Sequence, residues 1–216
     1  MNILAIQTAE KPHFCVVSVD GNIFAHEIKD QKGDEYLVDL IGQLLHKAGI
    51  LVSDIDLFGV VVGPGAYTGL RIGIMTAKAF ALLKNKPLVG IPTLQFLGYQ
   101  IFKKHDLNNF YVLQHARSDL FNTSHIKMKD GIPHVVEKGV KQESLLKEYV
   151  GKEKSYVLNK SETFLPKLLP EFVEMLYEKN KDHYASVHSC QVEYWHEPNI
   201  RYSSKPELRR LREEKS

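Results

Sequence analysis

The run Gly63-Pro64-Gly65-Ala66-Tyr67-Thr68-Gly69-Leu70-Arg71-Ile72-Gly73 joins an apolar stretch at 57–62, which reads as a buried strand, to an apolar helical stretch at 68–83. A strand that turns straight into a helix through glycines belongs to an α/β architecture. There the turn lies at one edge of a sheet, close to a ligand or to another stretch of backbone. The glycines admit positive φ and close approach, and Pro64 fixes φ between two of them. The first helical turn also offers unpaired N–H groups that attract anions. Two roles are open on these residues: a phosphate cradle, or a tight junction with Thr68 as the N-cap.

The two common phosphate motifs do not match. A Walker loop needs lysine and a hydroxyl residue directly after its last glycine, and Gly69 is followed by Leu70-Arg71. A dinucleotide fingerprint needs a third glycine where Thr68 stands, and an acid about 20 residues later that is missing here.

The flanking segments give an order. Residues 3–8, 14–19 and 22–28 read as strands, the last two a hairpin about Asp20-Gly21. A helix from Asp34 carries Leu37, Leu40, Ile41, Leu44, Leu45 and Ala48 at helical spacing and stops at Gly49. After the glycine turn and its helix come a strand at 88–91 and a helix from Thr93. Further on, 111–115, 120–128 and 155–159 read as strands, 144–150 as a short helix, and 162–179 as a helix broken at Pro170. Three strands, helix, strand, helix, strand, helix is the half-repeat of the actin-like, sugar-kinase and Hsp70 (ribonuclease H-like) fold. The expectation is α/β with a first lobe at 1–105, a reduced second lobe at 106–202 and a charged tail at 203–216.

The glycine run closely resembles the G-P-G-S-F-T-G-L-R-I-G signature of the bacterial TsaB family, the dimerisation subunit of the tRNA threonylcarbamoyladenosine machinery. Asn2-Ile3-Leu4-Ala5-Ile6-Gln7-Thr8-Ala9, Val89-Gly90-Ile91-Pro92-Thr93-Leu94 and Pro198-Asn199-Ile200-Arg201 resemble that family's opening strand, a later strand-to-helix turn and its closing stretch. The resemblance is clear to about Leu97, patchy through the middle, and returns near the end. It implies the actin-like fold and pairing, through helices of the first lobe, with a catalytic paralogue, TsaD.

The helix after the motif bears on that pairing. Leu70, Ile72, Ile74, Met75, Ala77, Ala79, Phe80, Ala81, Leu82 and Leu83 leave almost no polar face, which is the pattern of a helix buried all round. Either the chain covers it alone, or one face meets a partner, since apolar stripes left outside mark interaction sites. The resemblance points to the partner. The expected interface is Glu35, Leu37, Leu40, Ile41 and Leu44 on one helix, with Leu70, Gly73, Ile74, Ala77 and Phe80 on the other.

Enzymes of this fold place an acid at the end of the first strand and another at the start of the second lobe, to hold magnesium near phosphates. The corresponding residues are Gln7 and His115, where the family has D-T-S and often D-A-R. An amide and an imidazole do not supply the anionic oxygens that a hard cation prefers. Gly33-Asp34-Glu35 replaces the family's common H-S-E and offers no histidine. His183, His188, Cys190 and His196 match no standard zinc spacing, and H-E-x-x-H is absent from the sequence. No catalytic residue, metal or cofactor is therefore expected.

Bulk properties bound the rest. The net charge of +2 is the charge of the segment from Ser203 onward, so the remaining chain is neutral and lacks an electrostatic footprint for nucleic acid. Two cysteines in 216 residues suit a reducing cytoplasm, and no apolar run approaches the roughly 20 residues of a membrane span. The expectation is a non-catalytic cytoplasmic subunit that binds a TsaD-like transferase as a heterodimer, with a TsaE-like ATPase as third partner and tRNA met indirectly. A homodimer through the same apolar helix is the form expected alone. The competing reading, resting on the glycine run, is a small ATP-binding phosphotransferase or hydrolase.

Overall fold

A computed structural model gives the structure, and it describes residues 1–28, 37–158, 164–184 and 186–195. Strands β1 (Ile3–Gln7), β2 (His13–Val19) and β3 (Asn22–Ile28) form an antiparallel meander. Helix α1 (Leu37–Ala48) then leads to β4 (Leu57–Gly63), which lies parallel to β1 with Ile3 opposite Leu57. Helix α2 (Tyr67–Lys84), strand β5 (Leu88–Pro92) and helix α3 (Thr93–His105) follow, giving a sheet ordered β3-β2-β1-β4-β5. A second meander, β6 (Asn109–Arg117), β7 (Leu120–Lys129) and β8 (Ile132–Gln142), crosses by α4 (Leu146–Val150) to β9 (Ser155–Leu158), parallel to β6. The order β8-β7-β6-β9 repeats the first sheet less its last strand, the two-lobe plan that the sequence suggests.

The strands β1 and β4 are buried along their whole length, because helices cover both faces of the first sheet. Phe58 stacks on Phe80 of α2 at 6.3 Å. The next residue, Gly59, faces the other way, and a side chain there would run into Val173 of α5 (Leu169–Lys179). Successive strand residues point to opposite faces, so α2 and α5 lie on opposite sides of the sheet. On the α5 side, Phe96 lies 5.7 Å from Phe164 and 5.5 Å from Phe172. Helix α3 is buried on two sides because it also packs on the second sheet, where Gly98 meets Ile126.

Several expectations are corrected. The N-cap of α2 is Ala66, with no side-chain cap; Thr68 is already helical and exposed. Pro170 does not break a helix. It lies in the first turn of α5, where a missing N–H costs nothing, after a 3-10 turn at Pro166–Leu168. The strand β8 has no counterpart in the sequence reading, because it is an edge strand with a single buried residue, and it contains Pro133 and Gly139, which read as strand breakers. Nor is α2 buried all round: Met75, Leu82 and Leu83 are 67%, 58% and 74% exposed. Gly33, Asp34, Glu35, Tyr36, His196, the stretch 198–201 and the tail lie outside the described residues.

Candidate functional site

The glycine motif is built around the chain that leaves β1. The Ala66 N–H donates to the Ala9 carbonyl at 2.7 Å, and a Cβ on Gly65 would lie 2.5 Å from that same oxygen. A Cβ on Gly69 would run into the Thr8 carbonyl oxygen, and one on Gly73 into the Thr8 hydroxyl. That hydroxyl donates to the Gly69 carbonyl at 2.7 Å, fully buried. At Gly63, φ +123°, a Cβ would run into the Glu193 carbonyl oxygen, while the Glu193 N–H donates to the Val62 carbonyl at 2.8 Å. Each of these glycines thus removes a side chain from the path of another backbone or of a buried hydroxyl. Close packing of 8–9 and 193 against the turn accounts for the spacing of Gly63, Gly65, Gly69 and Gly73 without a phosphate. Arg71 turns outward, donating to the Tyr67 hydroxyl at 2.9 Å and lying over its ring.

Gln7 occupies the end of β1, where an acid is expected in an enzyme of this fold. It is fully buried; its Nε2 donates to the Glu10 and Pro12 carbonyls at 2.7 and 3.0 Å, and its Oε1 accepts from the Glu10 N–H at 2.9 Å. The amide is thereby committed to folding the turn after β1. His115 is exposed, with Nε2 2.9 Å from the Ser118 carbonyl.

Beside the motif lies a cleft of about 340 Å³ between the two sheets, lined by Glu10, Pro64, Tyr67, Gln114, His115, Arg117, Asn122 and the segment 193–195 among others. Glu10 is its half-buried acid, unnoticed in the sequence. Burial pushes its carboxyl up to about 7, against a smaller opposing effect from the Gln114 hydrogen bond. Gln114 Nε2 donates to Glu10 Oε1 at 2.8 Å and also lies 3.3 Å from the Pro64 carbonyl. Asn122 Nδ2 donates to Gln114 Oε1 at 2.9 Å, which fixes which end of the Gln114 amide meets Glu10. The one available signal for Glu10 was position: ligand-facing groups of α/β sheets gather just beyond the ends of the strands.

The expected interface residues divide by exposure. Leu37, Ile41, Leu44, Leu70, Ile74 and Ala77 are each no more than 3% exposed, and Gly73 is buried too. They pack inside the protein, so they are not a docking surface. Leu40 and Phe80 are half-buried, and Glu35 is outside the described residues. The large apolar side chains that α1 and α2 present outward are Val38, Tyr67, Met75, Leu82 and Leu83. The helices flank an apolar groove of about 560 Å³ that includes Val38, Ile41, Leu45 and Phe80. Among the described residues there is no group of three or more His, Cys, Asp or Glu placed to hold a metal ion, and no helix long and apolar enough to cross a membrane.

A family model described as TsaD, tRNA N6-adenosine threonylcarbamoyltransferase, matches residues 26–163. The tRNA threonylcarbamoyladenosine biosynthesis protein TsaB of Escherichia coli (strain K12) is 27% identical over 161 residues, 74% of this chain and 68% of that protein. The tRNA N6-adenosine threonylcarbamoyltransferase of Ehrlichia ruminantium (strain Gardel) is 31% identical over 123 residues; the match covers 49% of this chain and only 35% of the transferase. Among solved structures, a Pseudomonas aeruginosa protein described as similar to peptidase YEAZ superposes with a TM-score of 0.75 at 16% identity, over 90% of this chain and 99% of that one. YeaZ from Pseudomonas aeruginosa gives 0.73 at 17% identity, over 89% and 99%. The shared fold is that of YeaZ.

Proposed function

The chain belongs to the TsaD family, and on that premise we propose that it is a TsaB-like, non-catalytic subunit of the tRNA threonylcarbamoyladenosine machinery. In this reading it binds a TsaD-like transferase as a heterodimer and holds it in a working conformation. The transferase moves the threonylcarbamoyl group onto the adenosine beside the anticodon. A TsaE-like ATPase joins as third partner, tRNA is met through the transferase, and the assembly works in the cytoplasm.

The observation that carries the reading is the outward apolar stripe of α2. Met75 and Leu82 are seven residues apart on one face, Leu83 adjoins Leu82, and all three are more than half exposed. Exposed apolar side chains grouped on one helix mark an association surface. The interface is therefore proposed on Met75, Leu82, Leu83 and Val38, with half-buried Leu40 and Phe80 at its margin. A stripe of this kind can also pair with itself, so a homodimer is the form proposed in the partner's absence. Gln7 supports the absence of catalysis, because the amide engages two carbonyls where a magnesium-binding carboxylate would be needed.

Reconstitution tests it. The TsaD-like transferase of the same organism, with its ATPase, substrate and tRNA, should modify tRNA only when this chain is added. Equal modification without the chain would overturn the proposal.

A further inference from the structure

We propose that the cleft between the two sheets binds a small zwitterionic amine, its ammonium group on the Glu10 carboxylate and its anionic end on Arg117 at the rim.

The volume sets the scale. About 340 Å³ is the room of roughly ten waters at about 30 Å³ each, enough for a ligand the size of an amino acid. The floor sets the sign. Glu10 has one oxygen engaged by the Gln114 amide, and among the described residues no Lys, Arg or His nitrogen comes within 4 Å of its carboxyl. Asn122 holds the Gln114 amide in one orientation, so that partner does not swing away to make room for water. A carboxylate held in this way in a partly dry cleft lacks a counter-cation.

The walls suit the same guest. Tyr67, Tyr194 and Trp195 line the cleft. Tyr67 and Tyr194 stack with ring centroids 5.2 Å apart, and Arg71 and Lys138 lie over Tyr67 and Trp195, 5.3 and 5.5 Å from the ring centroids, so these rings already hold cations and leave an apolar wall for the guest's stem. Aromatic faces attract ammonium groups and pack against aliphatic stems. The rim then excludes the simpler guests. Arg117 is exposed and makes no ion pair with a described residue. A diamine would meet that guanidinium, and a plain carboxylate would meet Glu10. A molecule with an ammonium at one end and an anion at the other satisfies both.

The charged and titratable groups lining the cleft are Glu10, His115 and Arg117, Glu193 and Tyr194 of the closing segment, and Tyr67 at the start of α2, with Arg71 and Lys138 behind them over the Tyr67 and Trp195 rings and Lys138 paired with Glu193. Burial holds Glu10 near half-protonation around neutral pH, so an ammonium guest must displace a proton.

Calorimetric titration of the full chain with 4-aminobutanoate, butylamine and butanoate tests the proposal. The zwitterion should bind more tightly than either singly charged probe. Between about pH 8 and about pH 6 its affinity should fall, approaching tenfold per unit on the acid side as Glu10 takes up its proton. Glu10→Gln should weaken it at least tenfold. The wild-type pH profile carries the test alone if that variant folds poorly. Absence of binding at millimolar concentration, equal binding of butanoate, affinity independent of pH, or a pH dependence that vanishes in His115→Gln would each overturn the assignment.

Discussion

The junction account of the glycine motif predicts a sign reversal. Gly73→Ala adds a methyl group where the Thr8 hydroxyl lies, and forces that hydroxyl away from the Gly69 carbonyl. Overpacking costs about 1–3 kcal/mol and the lost buried hydrogen bond about 1 kcal/mol. Alanine in place of helical glycine returns about 1 kcal/mol. The single change should therefore destabilise by about 2 kcal/mol. Thr8→Ala alone loses only the hydrogen bond, about 1 kcal/mol. With Thr8 shortened to alanine, the nearest neighbours of the new methyl are the residue-8 Cβ at 3.4 Å and Ile6 Cγ2 at 3.5 Å, ordinary contact. In that background Gly73→Ala should stabilise, by up to about 1 kcal/mol. The coupling between the two positions then comes to about 3 kcal/mol. Urea unfolding of the four proteins, followed by far-ultraviolet circular dichroism, measures it. Effects that add to within about 0.5 kcal/mol would refute the close approach of Thr8 to Gly73 and reopen the turn to another role.

Two further outcomes follow from the cleft and the strand end. Glu10 keeps its proton to about 7 in the folded protein, against 4.5 unperturbed. Its burial therefore costs nothing at low pH, costs progressively more as pH rises from 4.5 to about 7, and reaches up to about 3 kcal/mol above that. Glu10→Gln should be the more stable protein at alkaline pH and lose that advantage in acid; parallel stability–pH curves would contradict the assignment. Gln7→Glu sets a carboxylate against the Glu10 and Pro12 carbonyls and removes both donors. It should cost about 3 kcal/mol or more, read as a fall in Tm of about 10 °C; an unchanged Tm would contradict it.

The periodic parts of the fold were legible because burial acts on them directly. Strands β1 to β5 and helices α1 to α3 carry runs of apolar residues whose spacing reports which face is covered. The edge strand β8 was not legible, since solvent on most of its side chains leaves no such pattern. The first-turn role of Pro170 depends on a helix start that the apolar periodicity of 162–179 concealed. At the site, the glycines were found by spacing, but their role could not be. Whether Gly73 faces a phosphate or Thr8 is a tertiary fact, fixed by a chain 65 residues away. The same holds for Glu10 and Gln114, 104 positions apart and joined only by the docking of one sheet on the other. For α2, composition alone read as burial on every side, whereas Met75, Leu82 and Leu83 stand outside.

That outward stripe is where the central claim is most exposed. The decisive measurement is light scattering of this chain mixed with the TsaD-like protein of the same organism, wild type against Met75→Arg. Met75 is 67% exposed, so the arginine leaves the core intact, unlike any bulky residue at Gly73. The account predicts a one-to-one complex for the wild type and its loss in Met75→Arg with Tm unchanged. Failure of the wild type to form a complex, or full binding by the variant, would contradict it.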